Sequence, residues 1–501
     1  MEALTIIRPE SLSLSSEQVR ALMPYFLVFG GIMLATLLAV VKGIKPKWPV
    51  FLLAVATAVV GVVASANLIP DATIGMFNGM MVSDSYSHFF NVIFMASAGI
   101  TILASLRYLD REQLQHPEYY VLVLLSALGM MLMTSALDLI VIFIALEIMS
   151  LAVYVLVGFR RTDKKSNEAA MKYFILGSAA SAILLYGAAL LYGATQSTNI
   201  HEILKFTQAQ PAGMTPLFTL GVWLVMIGFL FKVASVPFHM WMPDVYEGAP
   251  APVTGFMTTG LKAAAFASFM RFFISMGYGT TLSATLQAHI HDILWVSAVL
   301  TMIVGNVIAL TQTNLKRMLA YSSIAHSGYL LVGLLAGSGT PGGYSAVVFY
   351  LVAYAIMNLG AFIILTVISN REDTGLNLHD VSGLASRSPW LSFAMAVFLF
   401  SMAGIPPTAG FAAKYMLFYS AIQAHETPLV IISVLCSSIS VYYYLRVLVY
   451  MYMREPVGSA PASRVSMWSA LAVALMVAMT LQFGVVPARL VEVTKRAVAS
   501  L

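Results

Sequence analysis

Long apolar stretches, each about 20 residues long, follow one another along most of the chain. They lie near residues 22–42, 48–68, 86–106, 119–136, 137–158, 170–194, 216–240, 253–275, 291–312, 317–336, 344–370, 390–422, 427–453 and 465–485. A helix of about 20 apolar residues crosses the hydrocarbon core of a bilayer. Because 59% of the residues are hydrophobic and only 10% are charged, a soluble domain is excluded. The sequence therefore predicts an all-α polytopic membrane protein with about 14 transmembrane helices.

Lysine and arginine are concentrated in alternate loops between these stretches. The basic loops hold Lys42, Lys45, Lys47, Arg107, Arg111, Arg160, Arg161, Lys164, Lys165, Lys316, Arg317, Arg371, Arg387, Arg454 and Arg464. By the positive-inside rule these loops are cytoplasmic. The intervening loops lack basic residues, apart from Lys205, so we expect both termini on the outer side of a bacterial cytoplasmic membrane. Arg489, Lys495 and Arg496 in the tail count against this orientation.

Cysteine usage and motif content argue against a redox centre in this chain. Cys436 is the single cysteine, and the sequence has neither a CxxC pair nor a GxGxxG entering a helix after a strand. An iron–sulfur cluster, a flavin or a nicotinamide nucleotide would need such features. The net charge of +5 is scattered between helices, which also argues against a nucleic-acid interface.

Four ionisable residues lie deep inside apolar stretches. They are Glu147, Lys232, Lys262 and Lys414. A charge at that depth is costly and is usually paired or functional. Because the four groups include one carboxylate and three amines, a charge pathway through the membrane is the leading hypothesis. Packing charges that satisfy one another are the alternative.

Two of the apolar stretches are too long for one span and contain proline in the middle. Pro237 should free the carbonyl of Val233, and Pro406 and Pro407 should free those of Met402 and Ala403. The flanking sequences FLFKVASVP and FLFSMAGIP match at an offset of 169 residues, which suggests two related, pseudo-symmetric inverted five-helix repeats. We expect helices 1–3 in residues 1–118, the two repeats in residues 119–275 and 291–453, and a last helix and tail in residues 465–501.

Four motifs resemble those of the antiporter-like membrane subunits of respiratory complex I, over roughly residues 75–450. They are SNEAAMKYFILG (166–177), PFHMWMPDVYEGAPAPVTGF (237–256), NLKRMLAYSSIAHSGY (314–329) and GIPPTAGFAAKYMLF (404–418). The sequence DVYEGAPAPVT within the second motif is similar to that of the N-type subunits of this family. The resemblance implies a proton channel within the membrane arm of NADH:quinone oxidoreductase, with the other membrane-arm and peripheral subunits as partners. NADH and ubiquinone or menaquinone would be used by the whole complex.

The resemblance also implies roles for individual residues. Glu147 and Lys232 would form a switching ion pair, Lys262 the central relay group, and Lys414 the group near the outward exit. His326 would bridge the middle of the path. Lys172 also falls in a family motif, although it can also reach the cytoplasmic surface, and His326 can also be a hydrogen-bonded core residue.

Two other functions remain open at this point. The same glutamate–lysine pair would serve a subunit of a multi-subunit Na⁺/H⁺ antiporter. A scaffold subunit without transport activity would use its polar groups only to hold helices together.

Overall fold

The computed structural model describes residues 14–41, 47–69, 72–209, 215–456 and 465–501. The basic loop residues Lys42, Lys45 and Arg464 lie outside the described residues. Eleven described helices are long and apolar enough to cross a membrane. They are α1 (Ser16–Val40), α2 (Lys47–Ala66), α3 (Ser85–Arg111), α4 (Glu118–Ser135), α5 (Leu139–Val157), α6 (Lys164–Thr195), α12 (Ala284–Thr311), α13 (Leu315–Gly339), α14 (Pro341–Ile368), α18 (Thr427–Met453) and α19 (Met467–Val485).

The other three apolar stretches form interrupted helices. They contain α8 (Pro216–Lys232) with α9 (Trp241–Gly248), α10 (Ala251–Phe256) with α11 (Lys262–Ser275), and α16 (Pro389–Ala403) with α17 (Ala409–Gln423). Between α10 and α11 the chain stays helical through one π turn, Met257–Leu261. The predicted membrane-protein fold class is therefore confirmed, and the interruptions fall in the long or proline-bearing stretches and beside Lys262.

Short elements occupy the connections. A hairpin of β1 (Ile74–Met76) and β2 (Met81–Ser83) lies before α3. Helix α7 (Ile200–Ala209) lies in a connection for which the sequence predicts a loop, and α15 (Leu384–Arg387) lies before α16. The tail forms α20 (Ala488–Ala499). None of these elements is apolar enough along its whole length for hydropathy to detect it.

Helix burial separates the centre of the bundle from its edge. In α13 and α14, 94% and 89% of the apolar window are buried, whereas the figure is 33% for both α1 and α19. The serine, tyrosine and histidine side chains of α13 and α14 are therefore held among other helices, where polar groups need protein partners. Lys262 and Lys414 both contact side chains of α13.

Both proline breaks begin with the same helix ending. Ala234 after α8 and Gly404 after α16 have positive φ angles of 54° and 88°. The next residue in each case donates its N–H five residues back, Ser235 to Leu230 O and Ile405 to Phe400 O, both at 3.0 Å. This is a Schellman ending. The structural offset is 170 residues, one more than the sequence match, because Ala234 corresponds to Gly404 rather than to Ala403.

The two ends of the bundle differ in charge. At one end, called here the basic end, Arg111 bonds the Ser369 carbonyl at 2.5 Å, and Arg160 and Lys316 approach Asp373. At the opposite end lie the hairpin, α7 and α20. Ser500, which directly follows α20, accepts a hydrogen bond from Tyr86 N at 3.1 Å and so joins the tail to the start of α3. This arrangement agrees with a common side for the loops that hold Arg111, Arg160 and Lys316, whereas the basic residues of α20 lie at the other end.

Candidate functional site

Lys232 is the last residue of α8 and points into the bundle. Its ammonium group donates to Ser150 Oγ at 2.8 Å and lies 5.8 and 5.9 Å from the rings of Tyr173 and Tyr154. Ser150 lies one turn after Glu147 on α5, and Glu147 Oε1 is buried without a hydrogen-bond partner among the described residues. Lys232 and Glu147 are thus neighbours that form no direct ion pair. Ser150, and not the Glu147 carboxylate, accepts the hydrogen bond of the lysine.

The break after α8 is closed by a serine from α13. Ser327 donates its hydroxyl to the Val233 carbonyl at 2.6 Å, so the carbonyl that proline was expected to free has a partner. A carbonyl left unpaired in an apolar interior costs a few kcal/mol, which explains a serine at this position. The contact joins the break beside Lys232 to the helix that carries His326.

A small cavity separates Lys232 from Lys262. Its lining includes both lysines together with Trp241, Met242 and Tyr246 of α9, and its volume of about 10 Å³ is on the scale of one water molecule. The opposite face of α9 presents Asp244 to an open cavity at the basic end. One short helix therefore forms the wall between the two lysines and that open cavity.

Lys262 follows directly after the π turn. Its ammonium group donates to Ser323 O at 2.5 Å and to Ser323 Oγ at 2.6 Å, and it lies 5.1 Å from the centre of the Tyr354 ring. π turns occur often at functional sites because the extra residue re-aims the side chains that follow. Tyr354 also lies 4.8 Å from the His326 ring, so one tyrosine contacts both groups.

His326 is fully enclosed and has a partner on each ring nitrogen. Its Nδ1 is 2.7 Å from the Tyr350 hydroxyl and its Nε2 is 3.2 Å from the Tyr444 hydroxyl. Tyr444 also shares a hydrogen bond with Ser322. Because imidazole can accept a proton on one nitrogen and release it from the other, this arrangement can pass a proton between hydroxyl groups.

Lys414 occupies the second broken helix. Its ammonium group donates to the carbonyls of Met402 at 2.9 Å and Ala403 at 3.0 Å, and to Ser437 Oγ at 2.8 Å. These are the two carbonyls that the prolines were expected to free, and the negative end of the α16 dipole also favours a cation there. A β-carbon at Gly404 would lie 3.0 Å from the Lys414 side chain, so both its φ angle and this close approach favour glycine.

Polar side chains link the regions of His326 and Lys414. The Tyr443 and Tyr444 rings lie 4.5 Å apart, and Tyr443 donates to Asn306 Oδ1 at 3.0 Å. Asn306 in turn donates to the Tyr329 hydroxyl at 3.2 Å, and the Tyr329 ring lies 5.3 Å from the Lys414 ammonium group. Hydroxyl, amide and amine groups therefore continue from Lys262 to Lys414.

The three buried lysines share an unusual electrostatic state. Within the part of the chain that the structure describes, their ammonium groups contact hydroxyls and carbonyls, and none forms an ion pair. Burial penalises an ammonium group that lacks a counter-charge, so such a lysine can release its proton, which an arginine cannot do. Groups of this kind are able to accept and release protons.

Lys172 lies apart from this row. It pairs with Glu168 at 2.6 Å and Asp244 at 2.9 Å, and its side chain is 40% exposed. Asp244 also pairs with Arg317 at 2.7 Å. Lys172, Glu168 and Asp244 line the open cavity of about 150 Å³ at the basic end, on the outer side of α9.

The exposure of Lys172 leads to a prediction of a small effect. We expect Lys172→Met to lower proton uptake much less than Lys262→Met does, because Lys172 lies in a partly exposed ion-pair network outside the row of buried lysines. The measurement is the initial rate of proton uptake in vesicles with matched amounts of the protein. An equal loss in the two variants would contradict this expectation.

Sequence reasoning did not identify the hydrogen-bond partners of these groups. Ser150, Ser323 and Ser437 each bind one buried lysine, and Tyr350 and Tyr444 bind His326. Serine and tyrosine are common in membrane helices, so their presence alone carries little signal. The spacing of Ser323 one turn before His326 would have been the best indication.

Among the residues that the structure describes, no group of three or more His, Cys, Asp or Glu side chains could hold a metal ion. Cys436 is buried in α18.

Comparisons with known proteins agree on one family. Residues 136–440 match the family model described as NADH:quinone oxidoreductase/Mrp antiporter, TM. The chain is 45% identical over 426 residues to NADH-quinone oxidoreductase subunit N of Trichlorobacter lovleyi, covering 85% of this chain and 86% of that protein. It is 42% identical over 437 residues to the subunit of the same name from Myxococcus xanthus, covering 82% of this chain and 83% of that protein.

Solved structures show the same fold. A chain of respiratory complex I from Thermus thermophilus matches with a TM-score of 0.79 and 32% identity, covering 94% of this chain and 99% of that one. A chain of the Mrp complex from Dietzia sp. matches with a TM-score of 0.85 and 21% identity, covering 96% and 97%, and so shows the fold alone. The motifs, the geometry and these matches together place the chain in the NADH-quinone oxidoreductase subunit N family of antiporter-like membrane proteins.

Proposed function

We propose that this chain is a proton-translocating subunit in the membrane arm of an NADH:quinone oxidoreductase. The observation that carries the proposal is the row of three buried lysines that form no ion pair with any described residue, Lys232, Lys262 and Lys414, in a chain of the subunit N family. Electron transfer elsewhere in the complex supplies the energy. The other membrane-arm subunits, the peripheral subunits and membrane lipids are its partners.

Glu147 and Lys232 act as the switch in this proposal. Opposite charges about 7 Å apart attract by about 2.4 kcal/mol at an effective dielectric constant near 20. Moving one charge across 100 mV involves about 2.3 kcal/mol, so rearranging one pair is on the right scale to control one proton. When Glu147 approaches, Lys232 holds its proton; when Ser150 replaces the carboxylate, Lys232 can pass it to Lys262.

The remaining residues complete the path. Lys262 takes the proton across the small cavity, His326 relays it between tyrosine hydroxyls, and Lys414 passes it toward the outward exit. Lys172, beside the open cavity, belongs to the entry side at the basic end. We assign α4–α11 and α12–α18 to the two inverted repeats, with both termini on the outer side of a bacterial cytoplasmic membrane.

Cofactors belong to the rest of the complex in this proposal. NADH is oxidised and ubiquinone or menaquinone is reduced by other subunits. This chain, with one cysteine and no nucleotide-binding motif in its sequence, contributes no redox centre.

The test of the proposal is Glu147→Gln, which keeps the shape of the side chain and removes its charge. We expect both proton uptake and NADH-driven quinone reduction to fall in membrane vesicles, because a switch that cannot engage Lys232 stalls the coupled cycle. Lys205→Met is the control, since Lys205 is itself exposed and pairs with the exposed Glu202. Unchanged activities in Glu147→Gln vesicles would rule out the switch.

A cation/proton antiporter subunit is the second candidate. The shared fold of the Mrp chain favours it, although the identity of 21% restricts that match to the fold. An antiporter should exchange Na⁺ for protons when its complex is reconstituted without an NADH dehydrogenase module. Proton uptake that depends on NADH oxidation and is unaffected by Na⁺ would exclude it.

A further inference from the structure

A buried carboxylate at the basic end lies outside the proton path. Asp373 Oδ2 accepts from Lys316 Nζ at 3.0 Å and from Ala251 N at 2.9 Å, and lies 3.6 Å from Arg160 Nη1. The exposed fraction of each of the three charged side chains is 6% or less. One carboxylate thus holds two cations and a backbone N–H in a space that excludes water.

Lys316 and Arg160 also bond carbonyl groups of the segment 248–251, whose last residue donates its N–H to Asp373. Lys316 Nζ donates to the Ala249 carbonyl at 2.5 Å, and Arg160 Nη2 donates to the Gly248 carbonyl at 3.1 Å. Residues 248–251 connect α9 to the helix that carries Lys262. Two carbonyls and one N–H of this four-residue segment are therefore bonded by the three charged groups, which fixes where the Lys262 helix begins.

The loop that presents Asp373 is itself held in an unfavourable conformation. Glu372 and Asp373 have positive φ angles of 59° and 52°, which non-glycine residues seldom adopt. Glu112 accepts from Glu372 N at 2.8 Å, and Arg111 bonds both the carbonyl and the hydroxyl of Ser369 at 2.5 and 2.9 Å. Backbone strain of this kind persists where surrounding contacts over-determine it, and it is common at functional positions.

The groups that meet at Asp373 come from four elements of the site. Arg160 follows α5, which carries Glu147, and Lys316 lies at the start of α13, which carries Ser323 and His326. Asp373 follows α14, which carries Tyr350 and Tyr354, and Ala251 begins the helix of Lys262. The Asp373 carboxylate is the shared contact of all four.

Charge balance keeps this contact intact at neutral pH. Burial alone would raise the pKa of the Asp373 carboxyl, but Lys316 and Arg160 outweigh it and hold that pKa below its ordinary value. Asp163 pairs with Arg160 at 3.2 Å, so two carboxylates balance two cations. A group with a lowered pKa contributes stability above its ordinary pKa and loses it only as the pH falls through the lowered value.

We propose that Asp373 is a positioning residue for proton transfer, which sets the depth of Lys262 relative to Ser323 by tying the start of its helix to α5, α13 and α14. The inference rests on the proposed function. Lys262 contacts Ser323 at 2.5–2.6 Å, so a small axial shift of its helix would break both hydrogen bonds. Small displacements of this kind can cost large factors in rate.

The experiment compares Asp373→Asn with Asp380→Asn in the whole complex in membrane vesicles. Asp380 lies in the same connection but is exposed, and it accepts a hydrogen bond from Asn377 N at 2.9 Å, so it is the matched control. Protons taken up per quinone reduced is the readout. We expect Asp373→Asn to lower this ratio by roughly half or more of the loss that Lys262→Met causes, and Asp380→Asn to leave it unchanged.

A double variant and the comparison with Lys262→Met separate a loss of positioning from a loss of assembly. Asp373→Asn leaves Lys316 without a carboxylate, so we expect Asp373→Asn with Lys316→Gln to restore assembly but not the ratio, because the bonds to residues 248–251 are still weakened. A normal ratio in either Asp373 variant, with only the amount of complex reduced, would overturn the inference and make Asp373 purely structural. If Lys262→Met itself leaves both proton uptake and quinone reduction per assembled complex unchanged, the proposed function fails instead.

Discussion

Replacing Lys262 with methionine should stop proton transfer through this chain. Methionine has nearly the shape of lysine but no proton to give, and removing a positioned acid–base group commonly costs about 100-fold or more in rate. The ammonium group of Lys262 bonds Ser323 O and Oγ and lies against Tyr354, contacts that a methionine side chain cannot make as a proton donor. The whole complex should lose at least the share of pumping that passes through this subunit.

The measurement is proton uptake and quinone reduction in the same vesicles, normalised to the amount of assembled complex. Lys262→Arg is the informative companion, because arginine keeps the charge and does not release its proton. We expect both variants to be inactive in transfer. Full pumping in Lys262→Arg would show that this position needs only a fixed charge, and full pumping in Lys262→Met would exclude a relay there.

The largest expected effect on stability comes from Arg271→Met, at the opposite end of the bundle. Arg271 pairs with Asp84 at 2.9 Å, with side-chain exposures of 3% and 1%, and lies 5.0 Å from the Tyr86 ring. Removing one partner of a buried ion pair typically costs about 3–5 kcal/mol, because the remaining charge is left uncompensated. We expect a strong loss of assembled complex, read from the amount of subunit recovered in membranes.

A double variant separates the two possible causes of that loss. Asp84 also accepts from Ser87 N at 2.8 Å as the N-cap of α3, and asparagine can keep that bond. Asp84→Asn with Arg271→Met should therefore recover much of the complex, since no charge is left unpaired. Arg496→Met is the control, because Arg496 pairs with Glu492 on the exposed face of α20. No recovery in the double variant would mean that the guanidinium packing matters more than its charge.

Much of the fold follows from hydropathy and proline positions. The apolar stretches each contain described helices, and the carbonyls of Val233, Met402 and Ala403 are bonded by side chains, as a proline break requires. The residues proposed for the path were found because a charge in an apolar stretch is conspicuous. Their roles stay predictions until the variants are measured.

Partners and connections were not predictable in the same way. Ser323, Tyr350, Tyr444 and Asp373 are ordinary residues in their own segments and gain meaning only from what they touch. The hairpin, α7 and the π turn before Lys262 also left no clear sequence signal. Lys172 shared a motif with the other candidates, yet its side chain lies in a partly exposed charge network.

The sequence by itself determined which segments lie in the membrane and which charges lie deep within them, because transfer of a helix into hydrocarbon depends mainly on the summed properties of its own residues. Only the tertiary structure decided which of those charged groups lie near one another, which side chains and carbonyls they bond, and which helix separates the path from the open cavity. Those contacts depend on which faces of distant helices pack together, and that packing is set by the whole bundle rather than by any one segment.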